Sequence, residues 1–302
     1  MLDLGIVVVS YNTRDLLRAC LQSVYASRGD FTFELCVVDN GSSDGSAAMV
    51  ANEFPQVKLI ANDENVGYPA ANNQGLKAFG FSESREGTDG SEPPRFALLL
   101  NSDTEVPPDG LARMLDFMAD HPEAGAAGPK LVRPDGTLDL ACRRSFPTPE
   151  ISFYRMTGLS RIFPRSPRFG QYNLTYLDPD QTIEVDSVVG AFMLVRGEAI
   201  TEAGLMDESF FMYGEDLDWA YRIKNAGWKI YYTPRVTVLH VKKASTRQNP
   251  RAQIEFYRAM EIFYRKHFAA HTRWWVHNLV IMAISARLKL EQLRVAVGAA
   301  GR

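Results

Sequence analysis

The stretch "FFMYGEDLDWAYRIKNAGW" at residues 210–228 carries Glu215, Asp216 and Asp218 directly after an aromatic and apolar run. Wound as a helix at about 100° per residue, its residues Leu217, Trp219, Ala220, Tyr221 and Ile223 form one apolar face. Asp218 and Arg222 sit four residues apart on the opposite face, with Glu215 nearby. That spacing predicts a solvated surface pair worth only about 0.3–0.5 kcal/mol. Asp216 instead falls between Ala220 and Ile223, inside the apolar face and in the first turn. Two roles are open to it: a helix N-cap or first-turn acid stabilised by the helix dipole, or a partly desolvated general base.

Other residues able to do chemistry follow apolar runs that read as strands. In an open parallel α/β sheet, ligands bind beyond the carboxyl ends of the strands. The residues at those places are Ser10-Tyr11-Asn12, Asp39-Asn40-Gly41, Asn62 to Asn65 and Asn101-Ser102-Asp103. Asp39 is a candidate for hydrogen bonding a nucleoside, or else a turn residue in "DNGSSDG". Asp103, near Ser102 and Glu105, suits a hard divalent cation bridging phosphate oxygens, or else a cap. His240 closes "VTVLH" and reads as a structural histidine or a metal ligand.

The elements that must position these residues alternate through the first half. "IVVVS", "FELCVVDN", "VKLIAN", "RFALLLNSD" and "AGAAGPKLV" read as buried strands separated by helical segments. Continuous apolar strands between helices predict an α/β fold with a mostly parallel sheet covered on both faces. A polar surface loop is expected between Phe81 and Arg95. Residues 133–184 show weak periodicity. From Ala141 to Gly170 they hold six arginines (Arg143, Arg144, Arg155, Arg161, Arg165, Arg168) against one acid, Glu150. This segment reads as a solvated, irregular insertion or, since the charge is so one-sided, as a mobile loop that meets an anionic ligand. Order returns at "VDSVVGAFMLVRGEAITEAG", read as a strand, a turn and a short helix. "WKIYYTP" and "VTVLHVKKAST" read as separate strand pieces, and helices run from residue 249 to the end.

The 302 residues are 46% hydrophobic and 23% charged with a net charge of −3, a globular balance with no nucleic-acid signature. Cys20, Cys36 and Cys142 match no disulfide framework or metal spacing and read as buried thiols in a reducing, cytoplasmic setting. The N-terminal apolar run lacks a basic flank and breaks at Ser10, so it reads as a strand rather than a signal peptide. No apolar segment reaches transmembrane length, the nearest being 274–286. GxGxxG after the first strand and GxxxxGK[ST] are both absent, which disfavours a nicotinamide enzyme and a P-loop NTPase.

Taken in order, "VVVSYNTRDLLRACLQSV", "VVDNGSSDGS", "NVGYPAANNQGL", "LLLNSDTEV", "VVGAFMLVRGEAI", "FFMYGEDLDWAYRIKNAGW" and "VLHVKKAST" resemble family 2 glycosyltransferases of the GT-A fold. The likeness spans residues 4–268 and is nearest to bacterial rhamnosyltransferase-like enzymes of cell-surface polysaccharide assembly. It implies that Val8, Ser10, Tyr11 and Asp39 hold the nucleotide, with Asp39 facing a pyrimidine imide. Asn65, Gly67, Ala71 and Asn72 would line the diphosphate-sugar side. "NSD" takes the place of the metal-binding DxD motif, so Asn101 and Ser102 stand on the donor side and Asp103 alone supplies a carboxylate. His240 would approach the metal or diphosphate, Asp216 would be the catalytic base, and Glu215, Trp219 and Arg222 would shape the acceptor side. The aromatics of "FFMY" would wall the sugar.

The implied reaction is an inverting transfer from a dTDP- or UDP-sugar, with dTDP-rhamnose suggested by the branch, to a saccharide or lipid-linked hydroxyl. The cofactor would be Mg²⁺ or Mn²⁺; one carboxylate with the diphosphate and waters suits Mg²⁺, which keeps several waters. The implied division is a transferase domain over 1–248, with a nucleotide half at 1–103 and an acceptor half at 104–248, plus a helical extension over 249–302. Two other classes share parts of this pattern. A sugar-1-phosphate nucleotidyltransferase would carry a Gly-rich loop with Arg and Lys after the first strand, which "SYNTRD" is not. A non-catalytic nucleotide or carbohydrate binder would be expected to lose acids such as Asp39, Asp103 and Asp216. In the tail, Arg265, Lys266, Arg273, Arg287, Lys289 and Arg294 surround Trp274, Trp275 and an apolar run. That composition suits an interfacial helix on the inner face of the cytoplasmic membrane, or one packed on the domain or in a homodimer contact.

Overall fold

The computed structural model describes residues 2–82, 92–241 and 252–300. The expected polar loop lies largely outside these, as does the "KKAST" end of the last motif. The strands are β1 (Leu4–Ser10), β2 (Phe33–Asp39), β3 (Lys58–Ala61), β4 (Phe96–Asn101), β5 (Thr104–Glu105), β6 (Ala124–Val132), β7 (Ile183–Glu184), β8 (Phe192–Arg196) and β9 (Lys229–His240). The helices of the first half are α1 (Arg14–Tyr25), α2 (Ser46–Glu53), α3 (Tyr68–Ala78) and α4 (Gly110–Asp120). Those that follow are α5 (Pro149–Met156), α6 (Leu159–Ile162), α7 (Gly197–Ala203), α8 (Glu215–Asn225), α9 (Ala252–His267) and α10 (Trp274–Ala300).

One sheet runs in the order β3-β2-β1-β4-β8-β6-β9-β5, with β7 also on β9. β3, β2, β1 and β4 are parallel, as expected from their unbroken apolar runs. β8 then enters antiparallel between β4 and β6, which makes the sheet mixed. α1 buries Leu17, Cys20, Leu21 and Val24, and α4 buries Leu111, Met114, Phe117 and Met118, each at helical spacing against the main core. The three cysteines are buried and free. The two strand pieces expected after Trp228 are one strand, β9. Its register with β6 jumps from Pro129↔Thr233 to Lys130↔Thr237, so the break is an irregularity within the strand rather than a boundary.

The arginine-rich segment is not irregular throughout. It forms α5, α6, β7 and two 3-10 turns at Leu140–Cys142 and Gln171–Asn173. Arg143 is buried; its guanidinium donates to the carbonyls of Asp178 and Leu177 at 2.8 Å each and lies over the Tyr232 ring. Arg155 stacks on Tyr172, and Arg168 meets Glu150. Arg143 and Arg155 thus serve internal carbonyls and a ring, while Arg161 and Arg165 are exposed.

A second, smaller core joins α8 to α9 through Phe210, Leu217, Ala259 and Phe263. It overturns the reading of Asp218 as a solvated acid. Asp218 is fully buried and accepts from Arg222 Nε at 2.9 Å, Lys266 Nζ at 2.8 Å and His267 Nε2 at 2.7 Å. Burial raises its pKa, but His267, Lys266 and Arg222 outweigh that and bring it down to about 2. Two of these partners, Lys266 and His267, lie in the basic end of α9, up to 49 residues on, which no local pattern reveals.

Candidate active site

The parallel register brings three strand ends level: Ser10 pairs with Asp39, and Val9 with Asn101. Asp39 is buried, and its Oδ2 accepts from the Ser42 amide at 3.0 Å, so it does hold the "DNGSSDG" turn. Its Oδ1 is buried with no hydrogen-bond partner. A buried carboxylate oxygen without a donor is costly, and a ligand N–H would satisfy it.

Asn40, next along, organises the wall of this site, although it had no role assigned beyond its place after β2. Its Nδ2 donates to Asn65 Oδ1 at 2.9 Å and to the Gly67 carbonyl at 3.2 Å, and its Oδ1 accepts from the Val66 amide at 3.1 Å. Gly67 has φ +93°, and a Cβ there would stand 2.8 Å from the Phe211 carbonyl. The Tyr68 amide donates to that same carbonyl at 2.8 Å, so the loop before α3 rests on "FFMY". Phe211 is exposed there, while Phe210 is buried in the smaller core.

Several expected nucleotide contacts are instead internal. Val8 is fully buried and laddered to Val37 on one side and Leu100 on the other, which leaves it no surface for a ligand. Ser10 Oγ lies 3.0 Å from Thr13 Oγ1, which lies 2.8 Å from Ser102 Oγ, all buried; this hydroxyl chain ties the ends of β1 and β4 together. Asn72 is buried and donates to the Tyr68 carbonyl at 2.8 Å, securing the start of α3. Tyr11 and Asn65 remain half-buried at the rim.

Asp103 and His240 do come together, because β5 and β9 pair Thr104 with His240. His240 Nε2 lies 3.4 Å from Asp103 Oδ1, and Nδ1 lies 2.9 Å from Asp139 Oδ2. Burial opposes charge on His240, yet the hydrogen bonds and charges of Asp103 and Asp139 raise its pKa to about 8. Among the described residues no group of three or more His, Cys, Asp or Glu side chains could hold a metal. The donor set is therefore one carboxylate and one imidazole, with Asp139 fixing the imidazole as an outer carboxylate does in metal sites. This fits a divalent cation that takes its other ligands from a diphosphate and water.

The opening of α8 forms the opposite wall. Asp216 is buried; Oδ2 accepts from Arg144 Nη2 at 2.7 Å and from the Gly190 amide at 3.1 Å, and Oδ1 accepts from the Leu217 amide at 2.8 Å. Asp216 is thus a desolvated first-turn acid that satisfies a helix amide, while Gly214 takes the N-cap place. Arg144 also donates to the Val188 carbonyl at 2.7 Å. Tyr68 Oη lies 3.0 Å from Asn101 Oδ1 and from the Gly190 carbonyl, which links the "NSD" strand to the Asp216 loop. Arg144, Tyr68, Asp139 and Gly190 were not among the sequence candidates. Only the one-sided charge around Arg144 drew notice to it, and it could not say which carboxylate that arginine meets.

Three acceptor-side expectations change. Glu215 is buried rather than solvated, with Oε2 unpartnered. Trp219 is fully buried, donating from Nε1 to the Gly204 carbonyl at 2.8 Å, so it has no face for an acceptor. Arg222 reaches back to the carbonyls of Ala203 and Leu205 and to Asp218.

Burial first, and the adjacent Asp216 charge second, raise the Glu215 pKa to about 8. An acid whose folded pKa is raised binds its proton more tightly folded than unfolded. Stability should therefore fall as pH rises from the ordinary carboxyl range, about 4.3, towards that value. Glu215→Gln is expected to flatten this decline and to raise the urea midpoint at pH 8. An unchanged profile between pH 5 and 8 would contradict a buried, neutral Glu215.

The polar ends of β1, β2 and β4 are thus tied through Tyr68 and Gly190 to the acidic start of α8, and these residues make up the candidate site. The sequence model "Glycosyl transferase family 2" matches residues 5–181, and the chain belongs to that family. It is a rhamnosyltransferase-like glycosyltransferase of GT-A architecture. It is 29% identical over 275 residues to the N-acetylglucosaminyl-diphospho-decaprenol L-rhamnosyltransferase of Mycobacterium tuberculosis, covering 90% of this chain and 86% of that one. The fold is also that of GalNAc-T7 solved with UDP, GalNAc and Mn2+ (TM-score 0.59, 16% identity, 90% of this chain and 52% of that one). It likewise matches the mannosyltransferase PcManGT from Pyrobaculum calidifontis with GDP-Man and Mn2+ (TM-score 0.55, 17% identity, 99% and 75%).

Proposed function

We propose that this enzyme transfers L-rhamnose from dTDP-rhamnose, with inversion, to a hydroxyl of a lipid-diphosphate-linked saccharide. The observation that carries the donor half is the unpartnered Asp39 Oδ1 beyond β2, where the N–H of a pyrimidine imide would supply the missing donor. The sugar and the acceptor class rest on the likeness to the mycobacterial relative, whose name states both.

Asp216 is the proton acceptor in this reading. An ionised carboxylate offers about four lone-pair sites, and Arg144, Gly190 and Leu217 fill three of them. The remaining site on Oδ1 accepts the proton of the acceptor hydroxyl. That oxygen bonds to the anomeric carbon as the bond to the diphosphate oxygen breaks, and the leaving oxygen keeps the electron pair. Arg144 holds the carboxylate in place through the step. Asp103 and His240 would hold Mg²⁺ or Mn²⁺, with Asp139 orienting the imidazole. When bound, the cation supplies positive charge to the departing diphosphate.

Thermal shift with free nucleotides tests the donor half. dTDP and UDP are expected to raise the midpoint more than GDP. Asp39→Ala should weaken their binding by about tenfold, the loss of one charge-assisted hydrogen bond. Equal stabilisation by GDP, or full affinity in Asp39→Ala, would remove the pyrimidine assignment.

A further inference from the structure

α10 is apolar on two opposite faces, and only one of them is covered. His277, Ile281, Ile284 and Leu288, spaced four, three and four residues apart, are buried or half-buried on the side of α9. The Tyr264 hydroxyl lies 3.1 Å from His277 Nδ1, and the two rings stack at 5.7 Å. Roughly opposite at about 100° per residue run Trp275, Leu279, Met282, Ala286, Leu290 and Leu293, all exposed. Leu279 is 52% exposed, Met282 62% and Leu293 63%. This stripe is about 27 Å long at 1.5 Å per residue. A helix that is hydrophobic all round belongs in a buried setting, so the second face calls for a cover.

The charges beside the stripe favour one cover. On the wheel Lys289 borders it on one side, and Arg287 and Arg294 border it on the other, all exposed. Glu291, the one acid between residues 273 and 296, is half-buried and paired with Arg294 at 2.7 Å. Trp274, 77% exposed, and Trp275 stand at the start of the helix, and tryptophan favours the membrane–water boundary. A second copy of the chain would bring like charge to the rim of the contact, whereas anionic lipid headgroups complement it. No helix among the described residues is long and apolar enough to cross a membrane, which leaves α10 in the plane of the surface.

We infer that α10 docks the enzyme on an anionic lipid surface, its exposed stripe lying at the headgroup boundary and its basic borders meeting the lipid charges. The inference stands apart from the transfer reaction and does not depend on the donor or acceptor.

The test is co-sedimentation of the full chain with vesicles of phosphatidylcholine alone and of phosphatidylcholine with phosphatidylglycerol. Binding is expected to the mixed vesicles and to fall as salt is raised. Leu279→Glu with Met282→Glu should weaken it by about tenfold or more, as should Arg287→Glu with Lys289→Glu, because apolar insertion and charge each contribute. All four positions are exposed, and an unchanged melting temperature will show that the fold is intact. No sedimentation of the wild type overturns the proposal, as does binding that neither variant weakens. A solution dimer that Leu279→Glu with Met282→Glu dissociates, without vesicle binding, would assign the stripe to a second copy instead.

Discussion

Asp216→Asn is expected to slow sugar transfer by about 10²–10⁴-fold, the range set by removing a positioned proton acceptor. Nucleotide affinity should stay within about twofold, because Asp39 and the Asn40-organised loop lie on the other wall. The amide oxygen of Asn can still accept from Arg144 Nη2 and the Gly190 amide, which holds the side chain in place while basicity and the acceptor for the Leu217 amide are lost. Comparing turnover with nucleotide titration separates the two effects. If Asp216→Asn loses nucleotide binding in step with turnover, Asp216 supports the donor site and is not the base.

Arg144→Met is expected to cost about 3–5 kcal/mol of folding stability, read as a lower urea midpoint with an unchanged slope. The guanidinium is buried, and its removal leaves the Asp216 carboxylate buried without its charged partner. Combining Arg144→Met with Asp216→Asn should recover part of that loss, since the unpaired charge is then gone. A single-variant cost below about 1 kcal/mol is what an exposed pair gives, and would contradict the buried contact. Arg144→Met should also slow transfer at temperatures where the protein remains folded, because nothing else with a positive charge contacts Asp216 in the described hydrogen bonds.

Much of the frame was legible in the residues. Unbroken runs such as "FELCVVD" and "FALLLN" read as strands covered on both faces, and their ends placed Asp39, Asn101 and Asp103 on one edge. The apolar stripe of α8 likewise set Asp216 apart from its neighbours. What escaped was every fact that depends on a distant partner. Glu215 and Asp218 look solvated on a helical wheel, yet both are buried, Asp218 by the basic pair Lys266 and His267 of α9. Arg144 sits in a stretch with little periodicity, and its match with Asp216 spans 72 residues. Val8 and Ser102 stand in motifs whose likeness to a family implies ligand contact, but their own neighbours in the sheet and hydroxyl chain take up their contacts. Local pattern reports which way a side chain faces relative to its own element. It does not report what packs against that face.

The central claim is that the bond broken joins the sugar to the nucleoside diphosphate. The most direct test is to identify the phosphate product when the full chain is given dTDP-rhamnose, Mg²⁺ and a lipid-diphosphate N-acetylglucosamine acceptor. Release of dTDP together with a rhamnosylated acceptor of inverted anomeric configuration is expected. Release of dTMP with rhamnose 1-phosphate, retention of configuration, or no nucleoside diphosphate from this or any other dTDP- or UDP-sugar would contradict it.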